Sequence, residues 1–189
     1  MVIVPTIIER NASVERVYDL YSCLLKERII ILTGEIDDTM SSSICAQLLY
    51  LASTSSDPIL MYINSPGGSV SAGLAILDTM KYIKCEVSTI CMGICASMAA
   101  VLLSAGTKGK RCSLANGEVM IHQPLGGMQG QAKDMEIAAN HIIRMKNRLN
   151  QILAHNCRKS TDEIAAACDR DNYMDANEAI TFGIIDKII

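Results

Sequence analysis

The sequence predicts an α/β domain built on parallel strands. Short apolar, β-branched runs closed by glycine or turn residues alternate with segments of helical period, and the alternation runs β-α-β-α-β-α before further short strands and helices. Residues 28–33 (RIIILT), ended by Gly34, read as a buried strand. Residues 39–52 follow, with Ile44, Leu48 and Leu51 near helical spacing. Residues 58–63 form the second apolar run, and Asn64-Ser65-Pro66-Gly67-Gly68 is a turn signal. Residues 69–83 place Val70, Leu74, Leu77 and Met80 on one helical face. A third strand is expected over 85–92, ended by Gly93, and a small-residue helix over 96–105. Residues 108–115 and 118–122 read as two short strands separated at Asn116-Gly117. The glycine-rich stretch 126–131 fits either a loop or an extended strand. Residues 132–157 are the longest helix, with Ile137, Ile142, Met145, Leu149, Ile152 and Leu153 as its apolar positions. Ser160 and Glu163 make a capping-box pattern for another helix, and 184–189 a closing strand.

Composition narrows the function classes. A chain of 189 residues with no repeat, linker or low-complexity tract suits one domain, residues 1–189. Half of it is apolar and 20% charged, which excludes a disordered chain. The 17 cationic and 20 anionic side chains leave a net charge of −3, without the basic excess of a nucleic-acid binder. No run approaches the ~18 apolar residues of a membrane span; the nearest, 96–105, is interrupted by Ser97 and Ser104. Residues 1–10 lack the basic and apolar regions of a secretory signal, so a cytoplasmic address is expected. The eight cysteines (Cys23, Cys45, Cys85, Cys91, Cys95, Cys112, Cys157 and Cys168) lie mostly in apolar runs, where a reduced thiol acts as a small hydrophobe. Cys91-x₃-Cys95 has no second pair at ligand spacing and His155-Asn-Cys157 is a weak pattern, so no metal is expected.

Reacting groups of open α/β sheets gather at the carboxyl ends of strands. Three stretches fall there: Pro66-Gly67-Gly68, residues 93–98, and His122. Ser97 stands at a turn from strand into helix, where its hydroxyl is either a nucleophile or an N-cap. Gly93-Ile-Cys-Ala-Ser97 does not match the G-x-S-x-G elbow. His122 ends a strand just before Gln123-Pro124; an imidazole there can take the serine proton or be structural. His141 and His155 lie in the long helix, with a solvated or core role. Asp169, Asp171 and Asp175 follow the Ser160 helix, and the residues alone leave open which would orient the imidazole. Gly67 and Gly68 can bring backbone N–H groups to a developing oxyanion or simply make a tight turn. The Met98 N–H is the natural second donor.

Five segments together resemble the ClpP family, the proteolytic subunits of ATP-dependent Clp protease. They are YDLYSCLLKERIIILTGEI (18–36), YINSPGGSVSAG (62–73), STICMGICASMAA (88–100), MIHQPLGGMQGQAKDMEI (120–137) and RDNYMDANEAITFGIID (170–186). The resemblance implies a ClpP/crotonase-like α/β spiral of β-β-α units with a protruding strand–helix handle over 125–157. It implies a serine endopeptidase with Ser97 as nucleophile, His122 as general base, Asp171 as orienting carboxylate, and Gly68 and Met98 as oxyanion-hole donors. No cofactor is implied. ATP belongs to a partner, since the chain has no G-x₄-G-K-[ST] loop.

The implied assembly is two stacked heptameric rings, of this chain alone or with a paralogous subunit, fed with unfolded protein by a hexameric Clp-family ATPase. Residues 1–17 would be the axial gate, with Ile3, Val4 and Ile7 at its base. Gln131, Asp169 and Arg170 would lie at the inter-ring contact. Leu60, Tyr62, Tyr82, Ile90, Met92, Cys112 and Leu114 would form the ATPase-docking pocket, with Leu60 and Cys112 standing where the family often has aromatics. The match begins near the family's usual mature start, and no propeptide is expected within the chain. Two other readings stay open: an acyl-thioester enzyme of crotonase type, which would not need Ser97 and His122, and an inactive ring-forming scaffold paired with an active paralogue.

Overall fold

Three aliphatic runs buried on the helix-facing side of a sheet set the architecture. In the computed structural model, which describes residues 4–11, 14–127 and 129–189, they are β3 (Ile29–Thr33), β4 (Ile59–Ser65) and β5 (Val87–Ala96), side by side in parallel. Parallel neighbours need crossover connections. These are α2 (Asp38–Thr54) and α3 (Val70–Tyr82), capped by the Asp37 and Ser69 side chains. Ile30, Leu32, Met61 and Ile63 from the strands pack with Leu48, Ile76 and Leu77 from those helices and with Leu102 and Leu103 of α4 (Met98–Ser104). The sheet continues through β6 (Arg111–Ser113) to β9 (Lys187–Ile188), both parallel. β7 (Glu118–Ile121) pairs with β5, and β8 (Asn172–Met174) pairs antiparallel with β7.

β5 corrects the expectation that its strand stops at Gly93. It runs through Gly93 to Ala96 over a bulge: Ile63 pairs with Cys91, but Ser65 pairs with Cys95, so β5 spends four residues where β4 spends two. Gly93 sits at φ +89, and a Cβ there would lie 2.9 Å from Asn64 Oδ1, which accepts the Ile94 N–H at 3.2 Å. The bulge forks the sheet. Before it, Thr89, Ile90 and Cys91 pair with β6; after it, Ile94, Cys95 and Ala96 pair with β7.

Two of the three later helices follow the predicted pattern, and the third, Ala176–Phe182, was not predicted. α5 (Ala132–Cys157) has the predicted bounds, but only Leu149, Asn150, Leu153, Ala154 and Cys157 are buried, while Met135, Ile137 and Ile143 are exposed. The described residues of 122–131 form no strand. α6 (Thr161–Ala167) starts at the Ser160–Glu163 capping box, and α7 (Ala176–Phe182) at a second one, Asp175–Glu178. The closing strand is shorter than predicted because the Ile184 and Ile185 N–H groups turn back to the Ala179 carbonyl to end α7.

At the other end, β1 (Thr6–Asn11) and β2 (Val14–Asp19) form an antiparallel hairpin leading into α1 (Leu20–Lys26). Of the expected gate base, Val4 is exposed and Ile7 half-buried; Ile3 lies outside the described residues. All eight cysteines are free, six of them buried. No helix among the described residues is long and apolar enough to cross a membrane.

One buried ion pair closes the far edge of the sheet. The Arg111 guanidinium donates to both Asp186 oxygens, through Nε at 3.0 Å and Nη2 at 2.7 Å, and through Nη1 to the Ser104 and Asn156 carbonyls. Burial would raise the Asp186 pKa, but the Arg111 side-chain and backbone donors and the Gly109 N–H outweigh it and hold the carboxyl below the ordinary aspartate range. A depressed folded pKa contributes stability that is present above the unfolded pKa and lost as pH falls through the folded one. Asp186→Ala is expected to cost about 3 kcal/mol at neutral pH, because it leaves a buried, unpaired guanidinium. Urea unfolding at neutral pH and near pH 3 checks this: the gap to wild type should shrink in acid.

Candidate active site

Three strand ends meet beyond the fork, and their registers place three side chains. Ala96 pairs with Met120, and the next residue, Ser97, donates its N–H to the Met120 carbonyl at 2.8 Å. Ile121 pairs with Asn172, so His122 and Asp171 face each other one step beyond. His122 Nε2 lies 2.9 Å from Ser97 Oγ, and His122 Nδ1 lies 2.9 Å from Asp171 Oδ1. The His122 side chain is 15% exposed and that of Asp171 59%. The residues alone left Asp169, Asp171 and Asp175 open, and the resemblance implied Asp171. The structure brings only Asp171 to the imidazole; Asp175 caps α7, and Asp169 meets this region through its backbone carbonyl.

Ser97 holds φ +55 and ψ −120, a region costly for a residue with a Cβ, by about 1–3 kcal/mol. Its carbonyl already accepts from Ala100 and Val101 as the start of α4, yet its hydroxyl makes no capping bond. The N-cap reading of that side chain is thereby replaced: the hydroxyl turns to the imidazole instead.

The glycine turn packs directly on this serine. Gly67 sits at φ +93, and a Cβ there would lie 2.7 Å from the Ala96 carbonyl, 2.8 Å from Ser97 Cβ and 3.0 Å from the Met98 nitrogen. The buried Ser65 hydroxyl accepts the Gly67 N–H, and Ile36 brackets the turn, donating to the Gly67 carbonyl and accepting from Ser69. Among the described residues, neither the Gly68 nor the Met98 N–H donates to a carbonyl. Both remain available to an oxygen beside Ser97.

Two supports were not legible in advance. Gln123 donates its N–H to the Cys168 carbonyl and its Nε2 to the Asp169 carbonyl, and accepts from Lys146 Nζ at 2.9 Å. It ties the end of β7 to the segment carrying Asp171 and to α5; its place between His122 and Pro124 was the only signal. An apolar groove of about 560 Å³ runs between α3 and α5, lined by Val70, Leu74, Pro124, Leu125, Ile142 and Met145 among others. It shares Val70 and Pro124 with a small cavity of about 20 Å³ at Ser97 and His122. The residues lining it are far apart in sequence.

The remaining expected residues fall elsewhere. Leu60 and Tyr62 point away from the helix-packed side of β4, and Tyr62, Ile90 and Cys112 form one row across β4, β5 and β6. Met92 sits at the bulge, Leu114 just past β6, and Tyr82 ends α3, 80% exposed. Gln131 precedes α5 without a side-chain cap bond. Arg170 reaches the Asp169 backbone carbonyl at 3.2 Å rather than its carboxylate. No group of His, Cys, Asp or Glu that could hold a metal occurs among the described residues.

The model of the Clp protease family matches residues 11–189. The chain belongs to the Clp protease family. It is 54% identical over 190 aligned positions to the "ATP-dependent Clp protease proteolytic subunit" of Ligilactobacillus salivarius (strain UCC118), covering 100% of this chain and 96% of that relative. Membership makes the chain a serine peptidase of the Clp type. The acyl-thioester reading falls with it.

In this Clp-family chain the fit of Gly67 against Ser97 and Met98 is tight enough to test. Gly67→Ala is expected to lower peptide turnover by about 10²-fold or more, the scale of losing one oxyanion donor. Steady-state kinetics alongside a thermal melt check this; a folded variant with wild-type kcat would show that the turn tolerates a methyl group there.

Proposed function

We propose that this chain is the proteolytic subunit of an ATP-dependent Clp protease and cleaves peptide bonds by acyl transfer through Ser97. The observation that carries the reading is the run of hydrogen bonds from Ser97 to His122 to Asp171 in a Clp-family chain. Ser97 Oγ attacks the substrate carbonyl while His122 Nε2 takes its proton. Asp171 accepts from Nδ1–H, holding the tautomer that leaves Nε2 free to act as base. The Gly68 and Met98 N–H groups hold the oxyanion. His122 then protonates the leaving amine, and water releases the acyl group by the reverse sequence. The chain needs no metal or nucleotide for these steps. The groove beside Val70 and Pro124 suits an apolar substrate side chain next to the cleaved bond.

The subunit works within two stacked heptameric rings, of this chain alone or with a paralogous partner, enclosing a chamber in the cytoplasm. The exposed apolar positions Met135, Ile137 and Ile143 of α5 support burial against another subunit. Gln131, Asp169 and Arg170 serve the inter-ring contact. Gln123 links the Asp169 carbonyl to His122's own strand end, a short route from ring contact to site. A hexameric Clp-family ATPase docks over the row containing Tyr62, Ile90 and Cys112, with Leu60, Tyr82, Met92 and Leu114, and feeds unfolded polypeptide past the gate formed by residues 1–17.

Ser97→Ala is expected to remove peptidase activity, on the order of 10⁶ in turnover, without unfolding the chain. Intact mass after a fluorophosphonate should show one adduct in wild type and none in Ser97→Ala. An adduct that persists in the variant overturns the assignment. Asp171→Asn is expected to keep the assembly and lose about 10⁴ in kcat, because the wrong tautomer is then held. Size-exclusion chromatography with peptidase kinetics reads both; full activity would move the orienting role elsewhere.

A further inference from the structure

The bulge in β5 brings together two thiols that the peptidase mechanism does not use. Along a regular strand, residues four apart are about 13 Å from one another. Here Cys91 pairs with Ile63 and Cys95 with Ser65, so the two cysteines are separated by only about two strand rises, roughly 6.6 Å. That lies inside the 4.4–6.8 Å range of Cα separations that a disulfide spans. The side chains also lean across the bulge toward each other's neighbours. Cys91 Sγ donates to the carbonyl of Glu118, beside the Val119 that pairs with Cys95; Cys95 Sγ donates to the carbonyl of Ile63, which pairs with Cys91. The neighbouring Cys95 sulfur, with the Ser113 and Glu118 groups, holds the Cys91 thiol below its ordinary range, while burial pushes Cys95 well up. Cys91 is therefore the sulfur that ionises first and Cys95 the one that follows.

We propose that Cys91 and Cys95 form an intrachain disulfide when the protein meets a two-electron oxidant of the peroxide class, and that this bond reversibly lowers the peptidase activity. The Cys91 thiolate attacks a peroxide oxygen and breaks the O–O bond, giving a sulfenic acid and one water. Cys95 sulfur then attacks the sulfenic sulfur, and the hydroxyl leaves with the Cys95 proton as a second water. Two thiols are oxidised and one hydrogen peroxide is reduced. Both residues are fully buried, which admits a small neutral oxidant and excludes bulky ones. Closing the sulfurs to about 2.05 Å tightens the bulge. The strain falls on Cys95, two residues before Ser97, and removes the sulfur donor from Glu118 on the strand that leads into His122.

The chemistry of the bond is independent of the role proposed for Ser97; only the activity half rests on that reading. The full chain is treated with hydrogen peroxide, denatured, alkylated and weighed. A loss of 2 Da and a fall from eight alkylatable thiols to six are expected, with cleavage after Glu86 separating Cys85, and cleavage after Lys108 separating Cys112, so that the cross-link is placed between Cys91 and Cys95. Peptidase activity should fall several-fold and return with dithiothreitol, which does not repair methionine sulfoxide. Cys95→Ala should keep basal activity, show no 2 Da loss and resist peroxide. Eight alkylatable thiols after treatment, a cross-link between other cysteines, or equal peroxide inactivation of Cys95→Ala overturns the proposal. A Cys91–Cys95 bond that leaves the peptidase rate unchanged overturns its regulatory half. Should Cys95→Ala fail to fold, the thiol map of wild type decides alone, and it does so even in a chain without peptidase activity.

Discussion

The site depends on the fork in β5. A parallel strand has one neighbour on each side for its whole length unless something interrupts the ladder. The extra residues around Gly93 do that here, and the Asn64 side chain takes up the Ile94 N–H that the bulge frees from the ladder. Upstream, β5 belongs to a sheet that closes on Arg111 and Asp186. Downstream, it belongs to a ladder whose other members end in His122 and begin after Asp171. The distances among Ser97, His122 and Asp171 are consequences of that second ladder's register. A one-residue slip would turn each of them to the wrong face.

Position alone does not make the serine hydroxyl available; the backbone does. Ser97 is held at positive φ by its N–H bond to Met120 and by the α4 amides that its carbonyl accepts. Those bonds belong to packed elements, so the local strain is balanced by structure that would form anyway. The same turn geometry brings Gly67 against Ser97 so closely that no side chain fits between them. The candidate nucleophile and candidate oxyanion donors are thus parts of one contact.

The layout also divides α5 into two unlike halves. The half of α5 near its C-terminus is buried in the core, while the other half leaves Met135, Ile137 and Ile143 exposed. Lys146, between the halves, reaches Gln123 beside His122. α5 is thus anchored at one end and exposed at the other, with one hydrogen bond to Gln123 beside the imidazole.

Much of this was legible in the residues. Ile29–Thr33 and Ile59–Ser65 are aliphatic runs that suit only buried strands, α5 has both predicted bounds, and the Ser160–Glu163 box marks a helix start by hydrogen-bond chemistry local to four residues. Ser97, His122 and the Gly67–Gly68 turn stood out because each ends an apolar run. The choice among Asp169, Asp171 and Asp175 did not, since all three are acidic residues in one polar stretch; the family resemblance implied Asp171, and the pairing of Asn172 with Ile121 is what brings it to His122. Gly93 was read as a strand end because glycine often punctuates an apolar run; its role as a bulge depends on Asn64, far earlier in the chain. Local sequence determines which segments are helix, strand or turn, because propensity, period and capping act over a few residues. Register, the fork and the meeting of Ser97, His122 and Asp171 were decided only by the tertiary structure, because they depend on which strand each edge finds as its neighbour.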